Sequence, residues 1–437
     1  MRLRLTAALL VLLLLTSCSG VSLRVDELLS PPRLTAEQSA IYDAIETAVG
    51  TDSFKLKYPR RGDYLSACVL TDLDRDGTDE AIAFYELTVN GVTSAWMSIL
   101  VQKDGIWKSR QELPGEGAEI DFIDFAPVDR ADHNNIIVGW IVAGQESMLC
   151  KVYDYDETVS LQYEGNYNEC LIQDVDRNGL SEIVLCTVGG SRTPVMSLVK
   201  YRSGRIVRTS EVQMPSSMTG YAQLVCGQLT SGLTAICADL YLGNDEMTTR
   251  IAALDTQKSI IEELPGEELG IYESFDRPTP TLYCRDINQD GQIDLPVVRR
   301  MPGYEKSNAR DALYLTQYKS IIDGSLETVA SMAVNFSNGY RFILPESWVN
   351  AVTVRRQSDT GEWRFVLYRE DLDRSVTELL RIRVTSPSDY QDKFETAEYR
   401  TVATKGVNSY EIHIPDGNYP GYSISYEQAE NLFALLD

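Results

Sequence analysis

The pattern of apolar and polar positions divides the chain into four stretches. Leu5 to Leu15 form one unbroken apolar run behind Arg2 and Arg4, shorter than the roughly 20 residues a bilayer span requires. A polar segment ending at Pro31-Pro32 comes next. From Thr35 the period is helical. Ile41, Ala44, Ile45, Ala48 and Val49 share one face, and Thr35 and Gln38 occupy the two positions of a capping box, with Leu34 before them. The apolar stripe predicts a helix packed on the next domain rather than a free spacer. From about residue 64 to residue 332 the pattern becomes short β-type runs broken by turns. Beyond residue 333 strands continue without that regularity. Tyr340, Phe342 and Leu344 alternate before Pro345, and Val352–Arg355, Arg364–Tyr368, Leu380–Val384, Tyr399–Ala403 and Tyr410–Ile414 read as strands, with Lys405-Gly406 turning the last pair. Ser425 and Gln428 predict the start of a closing helix that carries Ala429, Leu432, Phe433 and Leu436. The expected organisation is a leader (1–18), a tether with its helix (19–63), a repeat domain (64–332) and a small α+β domain (333–437), in a mainly β protein.

Within the repeat domain one motif recurs. It reads Asp72-Leu73-Asp74-Arg75-Asp76-Gly77-Thr78-Asp79-Glu80, then Asp174-Val175-Asp176-Arg177-Asn178-Gly179-Leu180-Ser181-Glu182, then Asp286-Ile287-Asn288-Gln289-Asp290-Gly291-Gln292-Ile293-Asp294. An apolar β run follows each copy, and a Gly-containing turn comes later, at Asp104-Gly105, Ser203-Gly204 and Asp323-Gly324. The copies are spaced by about twice a unit of roughly 50 residues. Degenerate copies fit the gaps, one at Asp129-Arg130-Ala131-Asp132 and one at Gly227–Gly232. Five units of this length each suffice for a four-stranded antiparallel sheet, the size of one propeller blade.

The spacing has a chemical logic. A hard cation takes six to eight oxygens at about 2.3–2.6 Å. Positions 1, 3 and 5 of a tight loop direct side chains inward, a glycine at 6 permits the turn, position 7 offers its carbonyl and position 9 closes the shell. The candidate Ca²⁺ ligands are Asp72, Asp74, Asp76, Thr78 and Glu80; Asp174, Asp176, Asn178, Leu180 and Glu182; and Asp286, Asn288, Asp290, Gln292 and Asp294. An EF-hand is excluded. Its twelfth position needs Glu, whereas Ala83, Leu185 and Val297 stand there, and strands replace the flanking helices. The competing reading is an acidic turn without metal, since Asp, Asn and Gly favour turns on their own. Asp371-Leu372-Asp373-Arg374 lacks the glycine and the third acid and reads as a plain turn. The three loops resemble the FG-GAP/VCBS repeats of integrin-like β-propellers and bacterial surface proteins. That resemblance implies a calcium-binding loop between two strands of each blade. Gly339-Tyr340-Arg341-Phe342-Ile343-Leu344-Pro345-Glu346-Ser347-Trp348 resembles the opening hairpin of PsbP/Mog1-like domains, which implies a binding or assembly role for the C-terminal part; Tyr340 and Trp348 also read simply as core aromatics.

The N-terminus supplies an address. After the basic and apolar segments, Leu15-Thr16-Ser17-Cys18 resembles the lipobox of bacterial lipoproteins. The resemblance implies cleavage before Cys18, lipid on its sulfur and anchoring on the extracytoplasmic side of the cell membrane. Two acyl chains make such an anchor stable. A formal net charge of −24, from 64 acidic against 40 basic residues, excludes a nucleic-acid partner, because a phosphate-binding face needs a basic stripe. With only His133 and His413 present, a multi-histidine zinc site is excluded. His133 reads as a solvated turn residue and His413 as a strand residue. Seven cysteines besides Cys18 lie mostly in apolar runs and read mainly as core residues, with room for one or two disulfides. No nucleophile–base pair, Walker loop or Gly-x-Ser-x-Gly occurs in a convincing context. The expected function is a non-catalytic binding or adhesion module for a protein or glycan at the cell exterior. The alternatives are an extracytoplasmic hydrolase on the same scaffold and an assembly accessory lipoprotein.

Overall fold

The computed structural model describes residues 35–437, apart from 52, 90, 157, 190–192, 231, 256–259, 264–273, 323–324, 387–397 and 437. The expected leader with Cys18, the expected tether, Leu34 and the expected Asp323-Gly324 turn lie outside the described residues. The protein is mainly β. Helix α1 (Ala36–Val49) begins with the expected capping box, in which Thr35 and Gln38 each accept the other's backbone N–H, and it ends on Gly50 in the left-handed region. Its Ile41 and Ile45 are buried against Phe54, Tyr85, Leu100 and Trp107.

Six antiparallel sheets succeed one another in chain order. The first holds β1 (Phe54–Leu56), β2 (Cys68–Thr71), β3 (Glu80–Val89), β4 (Val92–Lys103) and β5 (Ile106–Pro114). The second holds β6 (Glu119–Ala126), β7 (Asn135–Ile141), β8 (Met148–Tyr155) and β9 (Val159–Tyr167). The third holds β10 (Glu169–Gln173), β11 (Glu182–Cys186), β12 (Val195–Arg202) and β13 (Arg205–Gln213). The fourth holds β14 (Met218–Thr230), β15 (Leu233–Leu242), β16 (Glu246–Asp255), β17 (Ile260–Glu263) and the short β18 (Arg277–Pro278). The fifth begins with β19 (Leu295–Arg300), β20 (Tyr314–Ile322), β21 (Ser325–Asn335) and β22 (Tyr340–Ile343). The sixth holds β23 (Val352–Arg356), β24 (Trp363–Leu367), β25 (Glu378–Thr385), β26 (Arg400–Lys405) and β27 (Asn408–His413). The helix α2 (Tyr426–Leu432) leads into β28 (Phe433–Leu435), which returns to pair with β22.

Hairpin turns set the register. Asp104-Gly105 and Ser203-Gly204 both have two residues at positive φ (55° and 77°, 54° and 86°), the backbone that matches the twist of a two-residue hairpin. Side-chain alternation then decides which sheet faces which. In β3, Ile82 and Phe84 face the second sheet, while Ala81, Ala83 and Tyr85 face α1. In β7, Ile136, Val138 and Trp140 face the first sheet and Ile137 the third. In β11, Ile183 and Leu185 face the second sheet, and Val184 and Cys186 the fourth. In β15, Ile236 and Ala238 face the third sheet, and Ala235 and Cys237 the fifth. These inner strands are buried on both faces, so they read as unbroken apolar runs.

The expected boundary at 332/333 falls inside a sheet. β21 pairs with β22 across it, and Tyr340 and Phe342 share one buried cluster with Leu315, Ala333, Trp348 and Phe365. Two local expectations change. Gly227–Thr230 is not a loop but the end of β14, because Leu229 is buried and Gln228 pairs with Thr234. The closing helix stops before Phe433, which becomes a strand residue stacked on Tyr340. All seven described cysteines are free, and burial pushes the Cys68 thiol up to about 11.

Candidate metal loops

The three acidic loops lie between β2 and β3, between β10 and β11, and immediately before β19. Their backbones are the same. Position 4 is left-handed in each (Arg75 58°, Arg177 60°, Gln289 62°), and so is the glycine at position 6 (Gly77 92°, Gly179 89°, Gly291 85°). The hydrogen bonds repeat as well. The first aspartate accepts the N–H groups of positions 5 and 6: Asp72 from Asp76 and Gly77, Asp174 from Asn178 and Gly179, Asp286 from Asp290 and Gly291, at 2.8–3.1 Å. Asp74, Asp176 and Asn288 at position 3 accept the position-5 N–H at 3.1–3.2 Å. Position 5 accepts from the N–H of Thr78, Leu180 or Gln292 at 2.7–2.8 Å. Glu80, Glu182 and Asp294 reach back to the position-2 N–H of Leu73, Val175 and Ile287, each at 2.9 Å.

In each loop the side chains of positions 1, 3, 5 and 9 turn onto the loop backbone, and in the third loop Asn288 Nδ2 also donates to Asp290 Oδ2 at 2.9 Å. Asp74 and Asp76 each use one carboxylate oxygen on the backbone and keep the other. Carboxylate oxygens of Asp72, Asp74 and Glu80, and of Asp174, Asp176 and Glu182, come within 4.8 Å of one another. Carboxylate oxygens of this kind suit a hard divalent cation. Burial raises the Glu80 and Asp294 carboxyls above the ordinary range, opposed by the backbone bond from Leu73 to Glu80 and by the Ser320 hydroxyl on Asp294; the neighbouring loop aspartates raise them further.

Three features escaped the sequence reading. The first is a tie between units. The position-8 N–H of the second and third acidic loops donates to a carbonyl of a neighbouring unit, Ser181 to Pro127 O (2.7 Å) and Ile293 to Gln228 O (2.7 Å), whereas the first loop is tied through its position-2 carbonyl, Leu73 O, which accepts from Asn134 N of the degenerate loop (3.0 Å). The second is the degenerate loop of the second sheet. There Asn135 takes the ninth position, accepting from Val128 N at 2.8 Å. His133, expected in solvent, is buried, with Nε2 at 3.2 Å from Asp129 Oδ1 and 3.0 Å from Asp154 Oδ1. Its burial follows from those two carboxylates, one of them a strand away in β8. The third is Lys200 in β12. Its buried Nζ lies 2.6 Å from Asp176 Oδ2 and 3.2 Å from Glu182 Oε1. Burial alone would lower the Lys200 pKa, but the bond to Asp176 and the charge of Glu182 outweigh it and hold the ammonium charged. His413, in β27, takes its place beside the Glu398 carbonyl, 2.8 Å from Nδ1.

No family model matches the chain, and no curated protein matches it. Among solved structures, a protein from Lactobacillus plantarum aligns over 75% of this chain and 94% of its own at 9% identity and a TM-score of 0.30. A hypothetical protein from Leishmania major aligns over 68% of this chain and 94% of its own at 10% identity and a TM-score of 0.23.

Proposed function

We propose that the chain is a lipid-anchored, extracytoplasmic, calcium-binding repeat protein whose sheets serve as propeller-like blades and whose surface binds a protein or glycan without catalysis. The observation that carries this reading is the pattern shared by the three loops: the same set of side-chain-to-backbone bonds, the same two left-handed positions and an acid or amide at positions 1, 3, 5 and 9. An acidic turn needs only its first Asx bond. Preserving acids or amides at positions 1, 3, 5 and 9 with this geometry is what a cation site requires. The position-8 bonds support a structural role for the ion, because ordering a loop also orders its tie to the neighbouring unit. The lipobox at Leu15–Cys18 supports the address.

Thermal unfolding of the protein in EDTA and in millimolar Ca²⁺, with Mg²⁺ as control, tests the reading. A site that binds only the folded state adds about 2.7 kcal/mol at 100 times its Kd. The expected result is a Ca²⁺-selective rise in Tm that shrinks on Asp74→Ala or Asp290→Ala. Equal curves in EDTA and Ca²⁺ would reduce the loops to metal-free turns and remove the basis for the proposal.

A further inference from the structure

One cross-strand position differs in charge among the three loops. Each ninth loop residue stands at the start of a strand and faces a fixed place on the next. Extending the pairing Ala81–Leu100 by one step sets Val101 opposite Glu80. The pairing Ile183–Val199, extended likewise, sets Lys200 opposite Glu182. The pairing Leu295–Lys319 sets Ser320 opposite Asp294, and its hydroxyl bonds that carboxylate. Val101 brings no charge and Ser320 a neutral hydroxyl. Lys200 brings an ammonium, and only 8% of its side chain is exposed.

That ammonium sits between ligands of the third and ninth positions, the two carboxylates a cation in this loop would have to draw together. Both partners are themselves enclosed, Asp176 with 9% and Glu182 with 2% of the side chain exposed. Two cations cannot share this space: a divalent ion among these oxygens would lie within a few ångströms of a buried positive charge and be repelled. The second sheet arrives at a related arrangement from different residues. Asp154 stands at the facing position there, by extension of the pairing Ile136–Tyr153, and the His133 ring lies between it and Asp129 of the degenerate loop.

We propose that Lys200 is the built-in cation of the Asp174–Glu182 loop, which therefore keeps its shape and its tie to Pro127 without metal, while Asp72–Glu80 and Asp286–Asp294 take calcium. This rests on the calcium reading of those two loops. Lys200 thereby sets which of the three acidic loops respond to calcium.

Calcium titration of the full-length protein in detergent, by calorimetry, tests the assignment. Wild type is expected to bind two ions. Asp74→Ala and Asp290→Ala each remove one, Asp176→Asn removes none, and Lys200→Met gains a third. Three ions in wild type, or one lost on Asp176→Asn, overturn the proposal and leave the calcium reading standing. No binding by wild type but one ion in Lys200→Met defeats the calcium reading of the other loops and upholds the role of Lys200. No binding by either overturns both. If Lys200→Met does not fold, the stoichiometry of Asp176→Asn decides alone.

Discussion

At the scale of single residues, the buried thiols show how strand position fixes chemistry. Cys68 opens β2 facing the α1 cluster, and desolvation lifts its thiol to about 11. Thiolate is the reactive form, and an ordinary cysteine titrates near 8.5. At pH 8, iodoacetamide should therefore alkylate Cys68 in the folded protein on the order of 100-fold more slowly than a free cysteine. The rate should rise with pH toward 11, and it should reach the ordinary value in denaturant. Peptide mapping of the alkylated protein measures this, and fast labelling of folded Cys68 at pH 8 would contradict its place in the core. The same scale explains what could be read from the sequence. The loop residues were legible because their partners lie within eight positions, so an Asp-x-Asp-x-Asp-Gly spacing implies its own hydrogen bonds. Lys200 and His133 were not. Asp176 and Asp154 are their partners across a strand, and no local pattern announces a lysine 24 residues from the carboxylate it meets.

At the scale of elements, the fourth sheet shows none of the three acidic loops among its described residues. Its centre holds another staple. Asp239 in β15 accepts from Arg277 (2.6 Å), Thr249 (2.6 Å) and the Cys284 N–H (2.8 Å), with Asp239 and Arg277 side chains fully enclosed. This network joins β15, β16 and β18 to the segment that enters the third acidic loop. Removing one partner of a buried pair leaves the other charge unpaired and costs about 3–5 kcal/mol. Arg277→Met is expected to lower the unfolding free energy read from urea melts by that amount, and Asp239→Asn combined with Arg277→Met to recover part of it. An unchanged midpoint in the single variant would mean that the pair contributes nothing net. Elements were legible where the signal was local: both capping boxes and the Asp104-Gly105 and Ser203-Gly204 hairpins form as the residues predict. They were not legible where a distant strand decides. Phe433 leaves the helical pattern because β22 offers an open edge and Tyr340 a ring to stack on. The fourth unit lost its expected loop because Leu229 had a core to enter.

At the scale of the whole molecule, the buried clusters form a series. One lies between α1 and the first sheet, and others between sheets one and two, two and three, three and four, four and five, and five and six. Among the described residues, none of these clusters joins the first sheet to the fifth or sixth. The outer face of the first sheet packs on Ile41 and Ile45 of α1. A row of units that touch only their neighbours behaves as a quasi-one-dimensional stack, with stability set by each unit and each junction. Damage at one end should then stay near that end. Ile45→Ala removes a fully buried side chain from the α1 cluster, at a cost of about 2–5 kcal/mol. In a hydrogen-exchange experiment read by mass spectrometry, this variant should lose protection in α1 and β1–β5, with a smaller loss in β6–β9. Protection in β14–β16 and β19–β21 should stay as in wild type. A loss spread evenly through all six sheets would mean that the units unfold as one body, and the serial description would have to be given up.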